Sequence, residues 1–243
     1  MYSKLHDTHL HIDLYDDLPQ IISEIEEPGI NVIAVTNLPV LFEKLQKKLN
    51  SKYIKIALGF HPELVFEYKK YIPEMWRHLD STQFIGEVGL DFSKRPTDDC
   101  DTQINFFKEL VRKCNSCGNK ILSVHSRKCE DKVLEMIGDK FRGKIILHWY
   151  SGTMKTLERA IQYGYYFSIN SAMLNSDKGK TTIRNIPIDR LLLESDGPFI
   201  KMNGKEVRPS NLIEITKGLS DLLQMNENEV IEILYENFNR LVQ

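Results

Sequence analysis

The sequence has no apolar run approaching the roughly 18 residues that a membrane-spanning helix requires. Its N-terminal residues, MYSKLHD, also lack the apolar stretch of a secretory signal peptide. We therefore expect a cytoplasmic protein that does not associate with a membrane.

Cysteine is scarce, with four residues in a chain of 243. This is too few for a disulfide scaffold at that length. Cys114 and Cys117 form a Cys-x-x-Cys pair, but a zinc site of this kind needs a second pair. The pattern favours reduced, structural thiols, with a redox or zinc role as the alternative.

An excess of positive charge is also missing. Lys and Arg number 32 against 34 Asp and Glu, the formal net charge is −2, and no basic tail or polybasic run occurs. This argues against a protein that wraps long duplex DNA. It does not exclude a nuclease, because metal ions bound in a pocket supply positive charge that a residue count does not record.

What the sequence does contain is a regular alternation of short, β-branched apolar runs with amphipathic segments, which is typical of βα units. The candidate strands are Leu5–His11, Asn31–Thr36, Lys55–Phe60, Phe84–Val88, Lys120–His125, Lys144–His148, Tyr166–Ile169 and Arg190–Glu194. Eight such units predict an α/β fold of the TIM-like (β/α)8 barrel type. Because no linker or change of composition interrupts the chain, we expect one domain over residues 1–243.

Helical spacing of apolar residues is clearest over Met154–Tyr163, with Ser151 or Thr153 available as the N-cap and Gly164 at the end. Further helices are predicted over Thr102–Cys117, Lys128–Ile137, Ser210–Leu223 and Glu227–Arg240. The segment Gly197–Pro209, rich in Pro and Gly, follows the last strand and is interpreted as an active-site loop.

His9 and His11 are two residues apart at the end of the first predicted strand. The alternation of side chains along a strand places both imidazoles on one face, where their nitrogens can bind one cation. Taken alone, a His-x-His pair on an exposed strand is an equally ordinary explanation.

Other polar residues end predicted strands in the same way. The carboxyl ends of parallel strands meet at one rim of a barrel, so residues far apart in sequence become neighbours there. We predict a two-metal site in which Glu87 bridges both ions. The ligands of one ion are His9, His11, Glu87 and Asp196, and those of the other are His125, His148 and Glu87. The alternative is a barrel whose rim histidines are satisfied by hydrogen bonds and bind nothing.

Two adjacent divalent ions can activate a water molecule and stabilise both oxygens of an in-line displacement, which is what phosphodiester hydrolysis requires. Asp196 can orient the water and accept its proton. Arg127 can hold a phosphate oxygen, or be a structural salt bridge. His61 can contact the phosphate or donate a proton to the leaving group. The alternative is that it makes a hydrogen bond to one of the metal ligands. The donor set accepts zinc, manganese, magnesium or nickel.

Read together, six motifs resemble the TatD family of metal-dependent deoxyribonucleases over almost the whole chain. They are DTHLHID (7–13), GFHP (59–62), GEVGLD (86–91), VHSR (124–127), LHWYSG (147–152) and ESDGP (194–198). The resemblance implies an amidohydrolase-like barrel of the metallo-dependent hydrolase type, two divalent ions (zinc, magnesium or manganese), and exonuclease-type cleavage of DNA at ends or in single strands. Its metal ligands fall on His9, His11, Glu87, His125, His148 and Asp196.

The sequence departs from the usual family pattern at two places near the predicted site. Trp149-Tyr150 replaces a Cys-Phe pair, and MNGK (202–205) replaces an Asn-Glu-Pro segment. Trp149 is a candidate for stacking on a base, or a packing residue. The stretch from His148 to Leu174 is similar to the TatD-like nucleases of four-gene Qat anti-phage systems (QatD). This resemblance implies a role in antiviral defence, with other Qat proteins as partners; a housekeeping nuclease is the alternative.

Two other functions remain open. Related two-metal barrels cut C–N bonds or esters such as lactones, although they commonly bridge their metals with a carboxylated lysine where this chain has Glu87. A metal-loaded barrel can also serve as a non-catalytic subunit of a complex.

Overall fold

The computed structural model describes residues 2–93 and 97–243 of the chain. Its internal contacts divide it into two compact units. Unit 1 contains the described residues up to Ala34, together with Leu49–Lys55 and Phe167–Gln243. Unit 2 contains Val35–Lys48 and Ile56–Tyr166. The single-domain organisation stays a prediction.

Strands and helices alternate along the chain as the sequence predicts. The strands are β1 (His6–Leu10), β2 (Asn31–Ala34), β3 (Ile54–Ile56), β4 (Phe84–Gly89), β5 (Ile121–His125), β6 (Lys144–His148), β7 (Tyr166–Ile169), β8 (Leu191–Leu193), β9 (Lys201–Met202) and β10 (Lys205–Glu206). The helices are α1 (Leu18–Glu26), α2 (Pro39–Lys48), α3 (Pro62–Val65), α4 (Ile72–His78), α5 (Thr97–Cys117), α6 (Glu130–Ile137), α7 (Met154–Gln162), α8 (Ser171–Leu174), α9 (Asp177–Arg184), α10 (Leu212–Leu223) and α11 (Glu227–Val242).

The strands of unit 1 pair in parallel and are buried. β1 pairs with β2 through His6 opposite Asn31, and β7 pairs with β8 through Phe167 opposite Leu191. β1 also lies beside β8, since the Thr8 hydroxyl donates to the Leu193 carbonyl over 3.0 Å. All residues of β1 and β8 are buried, so the polar side chains on β1 must be satisfied inside the protein.

Unit 2 contains the parallel strands β4, β5 and β6, in that order. Gly59 lies close to this sheet: a Cβ atom there would stand 1.6 Å from the Thr36 carbonyl oxygen and 2.5 Å from that of Gly86. Only glycine fits such an approach. This close packing holds the chain that leads into His61 against the end of β4.

Helix α7 follows the sequence-based expectation closely. Thr153, one of the two predicted caps, accepts a hydrogen bond from the Thr156 amide over 3.2 Å. The apolar face buries Leu157 and Ala160. Gly164, with φ of +77°, takes the left-handed conformation that ends the helix.

Each predicted strand overlaps an observed one, but some predicted bounds are wrong. Strand β3 ends at Ile56 rather than Phe60, with Leu58 making an isolated bridge to Ile85. Helix α5 begins at Thr97, five residues before the predicted start. Helix α6 begins at Glu130 because Lys128 has a φ of +64°, which a helix cannot include.

The predicted loop over Gly197–Pro209 contains a β-hairpin, formed by the antiparallel strands β9 and β10. Asn203 and Gly204 connect them, with φ values of +52° and +77°. An Asn-Gly pair with positive φ at both residues is the usual two-residue turn of a hairpin. The segment is therefore more ordered than its Pro and Gly content indicates.

Candidate metal centre

The first group of candidate ligands lies in unit 1 and is called here cluster 1: His9, His11 and Asp196. His9 and His11 come from β1 and the residue after it, and Asp196 follows β8. Asp196 Oδ1 lies 3.9 Å from His9 Nε2 and 3.7 Å from His11 Nε2. All three side chains are buried. The strand alternation and the adjacency of β1 and β8 bring them together.

Backbone hydrogen bonds fix this arrangement. The Asp196 amide donates to the His9 carbonyl over 2.9 Å, and the His11 amide donates to the Gly197 carbonyl over 3.0 Å. Gly197 has no room for a side chain, because a Cβ atom would stand 2.0 Å from the Tyr15 hydroxyl oxygen and 2.4 Å from the Val207 carbonyl oxygen. The loop that carries Asp196 is thus held against β1 by its own backbone.

Asp7 supports cluster 1 from within the protein. Its Oδ1 accepts hydrogen bonds from the amides of Ser195 (3.0 Å) and His9 (3.1 Å). Burial raises the pKa of this carboxyl to about 7, although the hydrogen bonds favour the charged form. Asp7 therefore connects the two segments that carry the candidate ligands.

Cluster 1 fits a divalent cation by donor type and spacing. Its three ligand atoms lie within 4.8 Å of one another. Zinc bonds of about 2.0–2.1 Å in a tetrahedral arrangement would separate neighbouring ligand atoms by about 3.3 Å. The separations of 3.7 and 3.9 Å from Asp196 therefore need to shorten by only a few tenths of an ångström.

The second group lies in unit 2 and is called here cluster 2: His61, Glu87, His125 and His148. Three histidine nitrogens converge on Glu87 Oε1, at 2.7 Å (His125 Nδ1), 2.9 Å (His148 Nε2) and 3.5 Å (His61 Nε2). His125 Nδ1 and His148 Nε2 are 3.3 Å apart. That separation equals the spacing of two ligands on a tetrahedral ion, about 3.3 Å.

Asp91 completes the surroundings of His125. Its Oδ2 lies 2.9 Å from His125 Nε2, so both ring nitrogens of His125 face a carboxylate. Burial opposes charge on His125, but hydrogen bonds to Asp91 and Glu87 outweigh it and raise the pKa of the imidazole. Burial likewise disfavours the charged Asp91, yet the hydrogen bonds from His125 and Ser93 hold its pKa below the usual range. The two carboxylates thus favour positive charge between them, which is what a bound cation would supply.

His61 differs from the other members of cluster 2 in its hydrogen bonding. Its Nδ1 accepts a hydrogen bond from the Glu63 amide over 3.2 Å, which makes it the N-cap of α3. A neutral imidazole that accepts at Nδ1 carries its proton on Nε2. The Nε2 that faces Glu87 is therefore a donor, which suits a hydrogen bond to a phosphate or leaving group better than metal ligation.

The other two predicted substrate residues are exposed. Arg127 follows β5, and its side chain is exposed. Trp149 follows β6 directly and is 39% exposed.

The structure thus brings three of the predicted ligands together in unit 1 and three in unit 2. The unit 1 ligands are His9, His11 and Asp196, and the unit 2 ligands are Glu87, His125 and His148. The role of Glu87 as a bridge between two ions stays a prediction, as do the roles of the individual residues. Two side chains were missed. Asp91 is one of them: its Oδ1 accepts from the Ser93 amide over 2.8 Å, and its contact with His125 has no local sequence signal. Phe199, whose ring lies edge-on to His11 with centroids 4.9 Å apart, stands two residues after the ESDG motif.

The sequence matches the family described as TatD related DNase over residues 6–243. The chain belongs to this family. YabD of Bacillus subtilis, described as an uncharacterized metal-dependent hydrolase, is 26% identical over 98% of this chain and 98% of its own. The human protein described as deoxyribonuclease TATDN3 is 24% identical over 97% of this chain and 93% of its own.

Solved structures of family members have the same fold. The TatD homologue YjjV of Escherichia coli superposes with a TM-score of 0.79 at 22% identity, covering 99% of this chain and 98% of its own. The α/β fold of the amidohydrolase-like TIM-barrel type predicted from the sequence is confirmed. The chain is accordingly a member of a family of metal-dependent hydrolases, with buried His and carboxylate clusters. Over the residues that the structure describes, none of the helices is both long and apolar enough to span a membrane.

Proposed function

We propose that this protein hydrolyses phosphodiester bonds in DNA, in an exonuclease manner, with divalent metal ions bound by clusters 1 and 2. The observation that carries the proposal is the convergence of imidazoles on a buried carboxylate in each cluster, Asp196 in cluster 1 and Glu87 in cluster 2. Burying carboxylates at this density is costly unless positive charge compensates them. Two divalent ions, of zinc, magnesium or manganese, would supply it.

The ligands in the proposal are those predicted from the motifs. Cluster 1 contributes His9, His11 and Asp196, and cluster 2 contributes Glu87, His125 and His148. When bound, the metals lower the pKa of a coordinated water and stabilise negative charge on the phosphate oxygens. For His125 to act as a ligand its Nδ1 must lose a proton, and the Asp91 carboxylate on Nε2 then fixes the ring and its tautomer.

The remaining proton transfers are assigned to side chains of the protein. Asp196 orients the attacking water and accepts its proton. His61 carries its proton on Nε2, as argued from its N-cap contact, and donates a hydrogen bond from it to the leaving oxygen or to a phosphate oxygen. The exposed guanidinium of Arg127 binds a nonbridging phosphate oxygen through paired donors. Trp149 follows the cluster 2 residue His148 in the sequence, and its side chain is exposed, so it is available for stacking on a base.

DNA as the substrate is supported by the family and by the relative named deoxyribonuclease TATDN3. We propose that ends or single strands of DNA are cleaved, because the net charge of −2 does not favour a long duplex. The similarity of residues 148–174 to the Qat branch adds the proposal that the protein acts in the cytoplasm in anti-phage defence with other Qat proteins.

The experiment is the release of nucleotides from end-labelled single- and double-stranded DNA by purified protein, with Mg²⁺, Mn²⁺ or Zn²⁺ added. Glu87→Gln keeps the shape of the side chain but removes its charge, so we expect loss of bound metal and at least a hundredfold loss of cleavage. Glu158→Gln is the matched control, since Glu158 is an exposed glutamate on α7. Metal content and thermal unfolding are measured on both variants.

The alternatives give different results in the same assay. A metal-loaded wild type that leaves DNA intact but hydrolyses lactones or C–N bonds would overturn the proposal in favour of the other hydrolase class. Inertness toward all these substrates would favour a non-catalytic subunit. Equal cleavage by Glu87→Gln and wild type would refute the metal mechanism. For the defence proposal, loss of phage resistance in cells carrying Glu87→Gln is expected, and unchanged resistance would refute it.

A further inference from the structure

Phe199 has a large apolar side chain that is exposed to solvent next to cluster 1. Its side chain is 60% exposed, more than any other large hydrophobic residue described as exposed, the next being Phe66 at 44%. Its ring meets the His11 ring edge-on, at an interplanar angle of 83°. Leaving an aromatic ring so exposed forgoes the free energy that its burial would give. A ring in this state is available to a ligand at the edge of the candidate site.

The backbone around Phe199 is fixed although its ring is exposed. The amides of Phe199 and Ile200 both donate to the Asp196 carbonyl, over 3.0 and 3.3 Å. Ile200 is buried, and its carbonyl accepts from the Val207 amide over 2.9 Å. The ring is thus anchored to the residue that supplies the cluster 1 carboxylate. A platform fixed in this way loses little conformational entropy when it binds a flat ligand.

The hairpin that follows Phe199 adds a positive charge. Lys201 stands opposite Glu206 across the hairpin, whereas Lys205 stands opposite Met202, and both lysines are exposed. Lys205 therefore has no carboxylate at its opposite position. An exposed aromatic ring followed by exposed lysines suits a base joined to a phosphate.

We propose that Phe199 is the stacking platform for the nucleobase of the terminal nucleotide and determines the preference of this enzyme for nucleotide substrates. The inference rests on the proposed function, because it assigns the base of the proposed DNA substrate to the edge of cluster 1. Stacking on an aromatic ring contributes about 1–3 kcal/mol per base and tolerates any base, since every base has a π face. The expected preference is therefore about 5- to 150-fold and independent of base identity.

The test compares two oligonucleotides that differ only in the terminal nucleotide, which carries a base in one and is abasic in the other. Wild type should cleave the first with a kcat/KM at least fivefold higher, mainly through KM. Phe199→Leu should remove most of this ratio, and Phe199→Trp should keep it. Phe66→Leu, the same substitution at another exposed phenylalanine, should leave it unchanged.

Binding of the same oligonucleotides to metal-free protein, followed by fluorescence anisotropy, separates this inference from the proposed function. If wild type does not cleave DNA but binds the base-bearing end more tightly through Phe199, the proposed function fails and the platform stands. If wild type cleaves DNA and the ratio survives in Phe199→Leu, the platform is refuted and the nuclease stands. Equal binding of both ends by wild type refutes the platform as well.

Discussion

His6, at the start of β1, should make the protein less stable in mild acid. Its Nε2 accepts a hydrogen bond from the Leu193 amide over 3.0 Å, and its ring stacks on Phe238 with centroids 4.8 Å apart. The side chain is fully buried, and this burial lowers the pKa of the imidazole to about 3. Protonation would place a charge in an apolar site and abolish the acceptor that the Leu193 amide needs.

The sign and size of the change in the free energy of unfolding follow from the pKa values of His6 in the folded and unfolded states. Because the folded pKa lies below the unfolded value of 6.5, His6 contributes stability that is complete above pH 6.5 and is lost as the pH falls toward 3. At 1.36 kcal/mol per pKa unit, the free energy of unfolding should fall by about 2 kcal/mol between pH 7 and pH 5 on account of His6 alone. The total free energy of unfolding of a domain is typically about 5–15 kcal/mol, so a loss of this size is readily measured.

Urea unfolding of wild type and His6→Gln from pH 7 to pH 5 measures this effect. Gln can present an acceptor to the Leu193 amide but does not titrate, so the difference between the two proteins should shrink by about 2 kcal/mol over this range. Asp7 has the opposite pH dependence, because its pKa is raised to about 7 and its contribution to the free energy of unfolding is lost as the pH rises. Its effect cancels in the difference. In His6→Phe the slope should also disappear, with stability at pH 7 reduced by the unsatisfied amide. Parallel curves for wild type and His6→Gln would refute the argument.

Two neighbouring residues after β5 give further predictions. Arg127→Ala should raise KM for DNA about tenfold or more. Arg127→Lys should restore only part of the lost affinity, because a lysine cannot form paired hydrogen bonds with a phosphate. Equal KM values for wild type and Arg127→Ala in steady-state assays would exclude the phosphate contact. Lys128 has a φ of +64°, so Lys128→Gly should raise the free energy of unfolding by about 0.5–1 kcal/mol in urea titrations. Lys132→Gly, inside α6, should lower it by about 1 kcal/mol, and a loss of stability in both variants would contradict the assignment of strain to Lys128.

The positions of the candidate ligands could be predicted from the sequence because they depend on regular structure. Alternation along a strand places His9 and His11 on one face, and parallel pairing brings the ends of neighbouring strands together. These rules also account for the grouping of Glu87, His125 and His148, whose strands β4, β5 and β6 are neighbours in unit 2. Glu87, His125 and His148 lie within the strands themselves, so no knowledge of the loops was needed for this group.

The protonation of the site could not be predicted, because it depends on contacts made by the loops. His61 carries its proton on Nε2 only because the Glu63 amide occupies Nδ1, and this requires α3 to begin at Pro62. Asp91 reaches His125 because the turn after β4 returns the carboxylate toward β5. Neither contact follows from residue spacing, since a shift of one residue in either turn would redirect the side chain.

The strained backbone near the clusters has the same origin. Lys128, Trp149 and Asp196 have φ values of +64°, +40° and +47°, and each follows a strand that ends at or near a candidate ligand. A left-handed conformation costs a residue other than glycine about 1–2 kcal/mol. At Asp196 this conformation lets the amide bond to His9 while the carbonyl accepts from Phe199, so one residue orients a ligand and the exposed ring together. Glycine would relieve the strain but would remove the carboxylate. Position 196 therefore keeps an aspartate in a left-handed conformation that cannot be recognised from the sequence. Backbone strain of this kind is expected where function rather than stability selects the residue.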